Sequence, residues 1–79
     1  MNNITLWDAQ IKKNYTVECI LLENQTARRL EALGINEGTP ICVLTRKRSG
    51  AMIVKVRGTR LALGKNISSH IEIKEKINE

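Results

Sequence analysis

The chain has 79 residues, a formal net charge of +5 and a hydrophobic fraction of 42%. A chain this short forms one domain with a small core, so residues 1–79 are expected to be a single domain. With no Phe, one Trp and one Tyr, the core is predicted to consist of Ile, Leu and Val. No apolar run approaches the ~20 residues of a membrane-spanning helix, and nothing resembles a signal peptide. We therefore expect a cytoplasmic protein without membrane insertion.

The first fourteen residues predict an irregular lead-in, in which Trp7 covers one end of the core. The first clear strand is predicted over 15–22, where Tyr15, Val17 and Cys19 alternate onto one face. This period of two is typical of a strand that buries one side.

The pattern then changes to that of a short helix over 24–33. Ala27, Leu30 and Leu33 recur at intervals of three and form one apolar stripe. Gly34 follows, where a helix often ends in a left-handed residue. One helix is therefore predicted directly after the first strand.

The second half of the chain predicts three more strands and a closing one. They are a strand over 39–47, a hairpin over 52–63 that turns at Arg57, Gly58 and Thr59, and a last strand around Ile71 and Ile73. Residues 64–69 are expected to be a loop with one helical turn, and 74–79 a frayed tail. About five short antiparallel strands, with no connection long enough for parallel pairing, predict a mainly β fold closed into a small barrel.

The chain has little material for catalysis, since it contains one His and one Asp and lacks a phosphate-binding loop. The sequence therefore predicts no enzyme and no cofactor. Cys19 and Cys42 are expected to be reduced and buried. Together with His70 and Glu18 they lack the close spacing of a chelating motif, but a metal-binding or metal-sensing domain stays open as an alternative.

A basic surface is the second alternative. The cations at the predicted turns are Arg46, Lys47, Arg48, Arg57 and Arg60, and such a cluster could bind nucleic acid. Aromatic side chains on which bases stack are missing from these segments. The sequence therefore favours a solvated basic rim over a nucleic-acid site.

Partner binding is predicted on the helix, at Arg28, Arg29, Leu30 and Leu33. If Ala27 and Leu33 close the end of the barrel, Leu30 is partly exposed beside the two arginines, as in a protein-docking patch. The competing interpretation places Leu30 in the core.

Two motifs of the chain stand out together. The first is Arg-Leu-Glu-Ala-Leu-Gly-Ile over 29–35 followed by Glu-Gly-Thr over 37–39, and the second is Val-Arg-Gly-Thr-Arg-Leu-Ala-Leu over 56–63. In this order and spacing the two motifs resemble the FeoA family of the bacterial ferrous-iron transport system. The resemblance covers nearly the whole chain, except that 47–51 replace a Pro-Leu-Gly-Gly-Pro-like turn.

This resemblance implies a fold, a partner and a role. The fold would be an SH3-like β-barrel with one helix inserted after the first strand. The role would be that of a cytoplasmic accessory that docks on the FeoB-type membrane ferrous-iron transporter and modulates its transport or GTPase cycle. The resemblance supplies no catalytic residue, metal ligand or small-molecule substrate.

Overall fold

The computed structural model describes residues 4–76, which form a mainly β domain. In chain order the strands are β1 (Ile4–Thr5), β2 (Asn14–Ile20), β3 (Pro40–Arg46), β4 (Ala51–Val56), β5 (Thr59–Gly64) and β6 (Ile71–Glu75). The helices are a 3₁₀ turn at Leu6–Asp8, α1 at Asn24–Ala32 and α2 at Lys65–Ser68. The predicted mainly β, SH3-like fold is confirmed.

All six strands belong to one antiparallel sheet in the order β1-β6-β2-β3-β4-β5. The sequence predicts about five strands because the two-residue strand β1 is too short to show a pattern. In the structure Ile4 pairs with Ile73 of β6, so the helix α1 follows the second strand. Strands β1 and β5 stand at the two ends of the strand order.

The core consists almost entirely of aliphatic side chains on one face of this sheet. Its buried members from the strands are Tyr15, Val17, Ile41, Val43, Met52, Val54, Val56, Leu63, Ile71 and Ile73. Leu6, Ala9, Leu30 and Ile35 join them from the connecting segments, and Trp7 packs against the cluster while partly buried. The predicted composition of the core and the covering position of Trp7 are therefore confirmed.

The hairpin between β4 and β5 turns in two residues. Val56 pairs with Thr59, and the residues between them, Arg57 and Gly58, have φ values of +53° and +80°. Positive φ at both central positions defines a type I′ turn, whose twist matches that of paired strands. Gly58 adopts this conformation without cost, whereas Arg57 adopts it against a steric penalty.

Two smaller predictions fail. Cys19 and Cys42 are free thiols, as expected, but they are only half-buried. The frayed tail is wrong for Lys74 and Glu75, which belong to β6. Lys74 pairs with Glu18 at 3.2 Å, and Glu75 accepts a hydrogen bond from Lys13, so cross-strand ion pairs hold this end of the chain. The rest of the predicted tail, 77–79, lies outside the described residues.

Candidate functional site

Helix α1 ends in a closed hydrogen-bonded cap. Gly34 has φ +92°, and its N–H donates to the carbonyl oxygen of Glu31 at 2.9 Å. The next N–H, that of Ile35, donates to the carbonyl oxygen of Leu30, also at 2.9 Å. This pair of bonds is the Schellman motif, in which the residue after the glycine packs against the third-last helical residue. The predicted left-handed role of Gly34 is confirmed.

Only one of the two leucines near the end of α1 is buried. Leu30 is 4% exposed and Leu33 is 50% exposed. The interpretation that places Leu30 in the core is therefore confirmed, and the alternative, in which Leu33 closes the end of the barrel and Leu30 is partly exposed, is wrong. Successive members of a three-residue stripe rotate by about 60° around a helix, because three steps of 100° fall short of a full turn. Ile35, rather than Leu33, then supplies the second apolar side chain at this end.

The predicted docking residues therefore divide into one buried and three exposed. Arg28, Arg29 and Leu33 are exposed on the described helix and its end, and we refer to these three residues as the α1 surface. Leu30 supports this surface from below as part of the core. Arginine is enriched in protein–protein interfaces, so the two arginines are the stronger part of this candidate patch.

The turn of the β4–β5 hairpin is fastened to the end of α1. The Arg57 Nε donates to the carbonyl oxygen of Gly34 at 3.3 Å. A Cβ at Gly34 would lie 3.0 Å from Arg57 Cδ and 3.3 Å from Arg57 Nε, so the arginine side chain lies directly over the glycine. A cation at the carboxyl end of a helix also interacts favourably with the helix dipole. Arg57 therefore links the β4–β5 turn to the end of α1.

The predicted basic cluster does not form a uniform rim, because Arg46 turns inward. Its guanidinium carbon lies 5.5 Å from the centre of the Trp7 ring, and the Nζ of Lys65 lies 5.3 Å from the same ring. Arg46 also donates a hydrogen bond to the carbonyl oxygen of Ala9. Two cations near one indole make favourable cation–π contacts. Arg46 therefore attaches the 3₁₀ turn to β3, while Lys47, Arg48, Arg57 and Arg60 are exposed.

Sequence reasoning missed how unevenly charge is distributed. All eight carboxylates lie outside residues 38–71, whereas that stretch carries seven cations: Arg46, Lys47, Arg48, Lys55, Arg57, Arg60 and Lys65. The net charge is +7 inside the stretch and −2 outside it. Strands β3, β4 and β5 all belong to this stretch, so one end of the sheet is strongly basic. A count of acids along the sequence is the signal that reveals it.

Lys55 and Arg60 are the clearest case of unbalanced charge. They are cross-strand partners in the β4–β5 pairing, and both side chains are exposed. Like charges directly opposite each other in an antiparallel pair are destabilising. The ion pairs among residues 4–76, Lys13–Glu75 and Lys74–Glu18, lie outside this stretch.

The candidate metal ligands do not come together in the structure. Within residues 4–76, no three or more side chains of His, Cys, Asp and Glu are grouped so that they could hold a metal ion. His70 is exposed, and its Nδ1 lies 2.8 Å from the carbonyl oxygen of Asn66, which it reaches as a donor. None of the helices in this part of the chain is long and apolar enough to cross a membrane.

These features define a small SH3-like β domain with charged surfaces. The FeoA domain family model matches residues 4–75, nearly the whole chain. The protein therefore belongs to the FeoA family, whose name connects it with ferrous-iron transport. No curated protein matches the sequence.

Solved structures agree on the fold. The crystal structure of an iron uptake regulatory protein (FeoA) is 24% identical, covers 96% of this chain and 100% of that chain, and has a TM-score of 0.83. A FeoA-like protein from Clostridium acetobutylicum is 24% identical over 100% of this chain and 93% of that one, with a TM-score of 0.83. A manganese-dependent transcriptional repressor bound to manganese is 22% identical and has a TM-score of 0.88, but the match covers only 38% of that protein.

Proposed function

We propose that the protein is a cytoplasmic, non-catalytic accessory of ferrous-iron uptake that docks on a FeoB-type membrane transporter and modulates its transport or GTPase cycle. The match of the FeoA family model to residues 4–75 carries this proposal. The similarity to an iron uptake regulatory protein (FeoA), over 96% of this chain and 100% of that chain, supports it.

The α1 surface is the proposed contact. Leu33 offers an apolar side chain that is 50% exposed, and Arg28 and Arg29 flank it with charge. Burial of a leucine contributes about 1.5–3 kcal/mol when it is complete. Because Gly34 and Arg57 hold the end of the helix, little ordering of the backbone is needed when a partner binds, and this lowers the entropic cost of association.

The proposed mechanism is a shift of the transporter between states. A bound protein changes such an equilibrium only by the difference between its affinities for the two states. Docking would therefore alter GTP hydrolysis if the α1 surface binds one nucleotide state of the transporter more tightly than the other.

The test is a calorimetric titration against the cytoplasmic domain of the FeoB-type transporter and against the detergent-solubilised full transporter. Binding is expected below about 100 μM, with a different affinity in the GTP-bound and GDP-bound states. Leu33→Ser and Arg29→Glu are expected to weaken it about tenfold, whereas Lys76→Glu, an exposed cation on another part of the chain, serves as the matched control. Absence of binding to both preparations at 100 μM would overturn the proposal.

A further inference from the structure

The basic end of the sheet offers a second surface that the α1 surface does not include. Strand β5 ends the strand order, so its outer edge pairs with no other strand among residues 4–76. Its exposed residues Arg60, Ala62 and Gly64 alternate along one face. The β4 residues opposite them are Lys55, Ile53 and Ala51. The hairpin therefore presents a strip of mostly small or apolar side chains that begins with a pair of cations.

The other end of this strip also carries a cation. A surface cavity of about 380 Å³ is lined by Ser49, Gly50, Ala51, Gly64, Lys65 and Asn66. It adjoins the cross-strand pair of Ala51 and Gly64. This pair lies four positions along each strand from the Lys55–Arg60 pair, which corresponds to about 13 Å. Lys65 directly follows Gly64 at this end of the strip, and its Nζ lies over the Trp7 ring in the unbound protein, so it would have to leave that ring to meet an anion here.

Protection of the edge strand explains only part of this arrangement. A charged residue on an edge strand discourages pairing with other chains, and Arg60 alone would serve that purpose. Lys55 lies on the inner strand β4 and faces Arg60 directly, which lowers stability without blocking the edge further. In the described part of the chain neither cation has a carboxylate partner, so both charges are free to meet an external anion.

We propose that the outer edge of β5 binds an extended acidic polypeptide segment of a partner protein. Such a segment would add a strand to the sheet through backbone hydrogen bonds, and its carboxylates would reach Lys55 and Arg60 at one end and Lys65 at the other. Addition of a strand to a free edge draws affinity from the backbone and specificity from alternate side chains. The proposal concerns a surface separate from α1 and does not depend on the identity of the transporter.

Geometry specifies the segment that fits best. Side chains four positions apart in an extended chain lie on the same face, whereas side chains three positions apart lie on opposite faces. Two glutamates at i and i+4 therefore match the distance from the Lys55–Arg60 pair to the Gly64 end of the strip, where Lys65 follows, and two at i and i+3 do not. Ala62 has a small side chain and Gly64 has none, which leaves room for the peptide residues between the glutamates.

The test uses the ¹⁵N-labelled full chain and three peptides of eight residues built from Thr and Ser. One peptide carries glutamates at i and i+4, the second carries them at i and i+3, and the third carries glutamines at i and i+4. The first is expected to bind below about 1 mM, with shifts confined to β4, β5 and Lys65 and with slowed amide exchange in β5. The other two are expected to bind at least fivefold more weakly.

Two single charge reversals complete the test. Lys55→Glu removes one cation and places a carboxylate opposite the other, Arg60. An opposite-charge pair is compatible with the fold, so the variant is expected to remain folded. It is expected to weaken binding of the first peptide about tenfold. Lys76→Glu makes the same change of net charge at an exposed cation outside both surfaces and is expected to change the affinity less than twofold. Equal weakening by both variants would show that net charge alone is responsible and would overturn the proposal.

Other polyanions provide the remaining outcomes. A 20-nucleotide single strand of DNA and phosphatidylglycerol vesicles are titrated under the same conditions. If either binds at β4–β5 while the first peptide produces no shifts at 1 mM, the surface recognises phosphate groups and the proposal is wrong. If the peptide binds and the transporter domain does not, this proposal stands and only the proposed function fails.

Discussion

The two ends of the sheet differ in how their charged side chains are paired. At the end formed by β1, β6 and β2, lysines face acids, as Lys13 faces Glu75 and Lys74 faces Glu18. At the end formed by β3, β4 and β5, Lys55 faces Arg60, and no carboxylate occurs between residues 38 and 71. The first two lysines have carboxylate partners, whereas Lys55 and Arg60 have none among residues 4–76. Unbalanced charge is therefore the more informative guide to binding.

The largest effect on the free energy of unfolding is expected at Leu30, in the core that both ends of the sheet share. Leu30 is buried in the cluster that contains side chains from both ends of the sheet. Leu30→Ala is expected to lower the free energy of unfolding by about 2–5 kcal/mol, because it removes apolar burial and leaves a cavity. Leu33→Ala is expected to change it by less than about 0.5 kcal/mol, because that side chain is half exposed. Urea denaturation measures both, and similar losses would contradict the assignment of the two leucines.

A smaller effect is expected at Gly34, where the end of α1 contacts the turn between β4 and β5. Gly34→Ala is expected to cost about 1–3 kcal/mol, since alanine pays for a positive φ and its Cβ would lie 3.0 Å from Arg57 Cδ. Gly38→Ala is the matched control, because Gly38 has φ +87° and a Cβ there would have no neighbour within 4 Å. The excess loss at Gly34 measures the contact with Arg57. It should largely disappear when both variants are made in an Arg57→Ala background.

The difference in charge pairing between the two ends of the sheet is tested by one lysine-to-glutamate substitution at each end. Lys55→Glu creates an opposite-charge pair with Arg60 and is expected to stabilise the fold by about 0.2–1 kcal/mol. Lys74→Glu replaces attraction to Glu18 by repulsion and is expected to destabilise it by less than about 1 kcal/mol. Thermal unfolding at low and high salt measures both, and the two effects should shrink as salt rises. Shifts of the same sign would remove the distinction between the two ends.

The smallest effect concerns alkaline pH. The hydrogen bond from Lys13 to Glu75 raises the pKa of the lysine above its usual 10.5, and burial opposes that shift. Because the folded pKa exceeds the unfolded one, the stabilisation is fully present below about pH 10.5 and is lost as the pH rises through the raised pKa. NMR titration of the Lys13 side chain should show a higher pKa in the native protein than in Glu75→Gln. An unchanged pKa in that variant would show that Glu75 is not the cause.

Much of the fold follows from local patterns in the sequence. Alternation along β2, β3 and β4 predicts which residues enter the core, and Gly34 and Gly58 mark the end of α1 and the hairpin turn. Strand β1 escapes notice because two residues carry no period, and its pairing with β6 is a contact between the ends of the chain. Such long-range pairing is decided by the whole sheet rather than by Ile4 and Thr5.

The surfaces are harder to predict, because they depend on small rotations and on distant partners. The stripe on α1 contains both leucines, but only the Schellman cap shows that Ile35 occupies the place expected for Leu33. The basic turn is visible in the sequence, whereas the position of Arg46 over Trp7 requires the fold. The opposition of Lys55 and Arg60 follows from the turn at Arg57 and Gly58 once its two-residue length is known.

The position of Trp7 has a practical consequence for spectroscopy. It is the single tryptophan of the chain, so the intrinsic tryptophan emission comes from one place, between Arg46 and Lys65. Nearby charges alter the energy of the excited indole. Binding of an anion at the basic end of the sheet is therefore expected to change the wavelength or intensity of that emission. The chain thus contains its own fluorescent reporter beside the cavity that Lys65 lines, and titrations there need no attached dye.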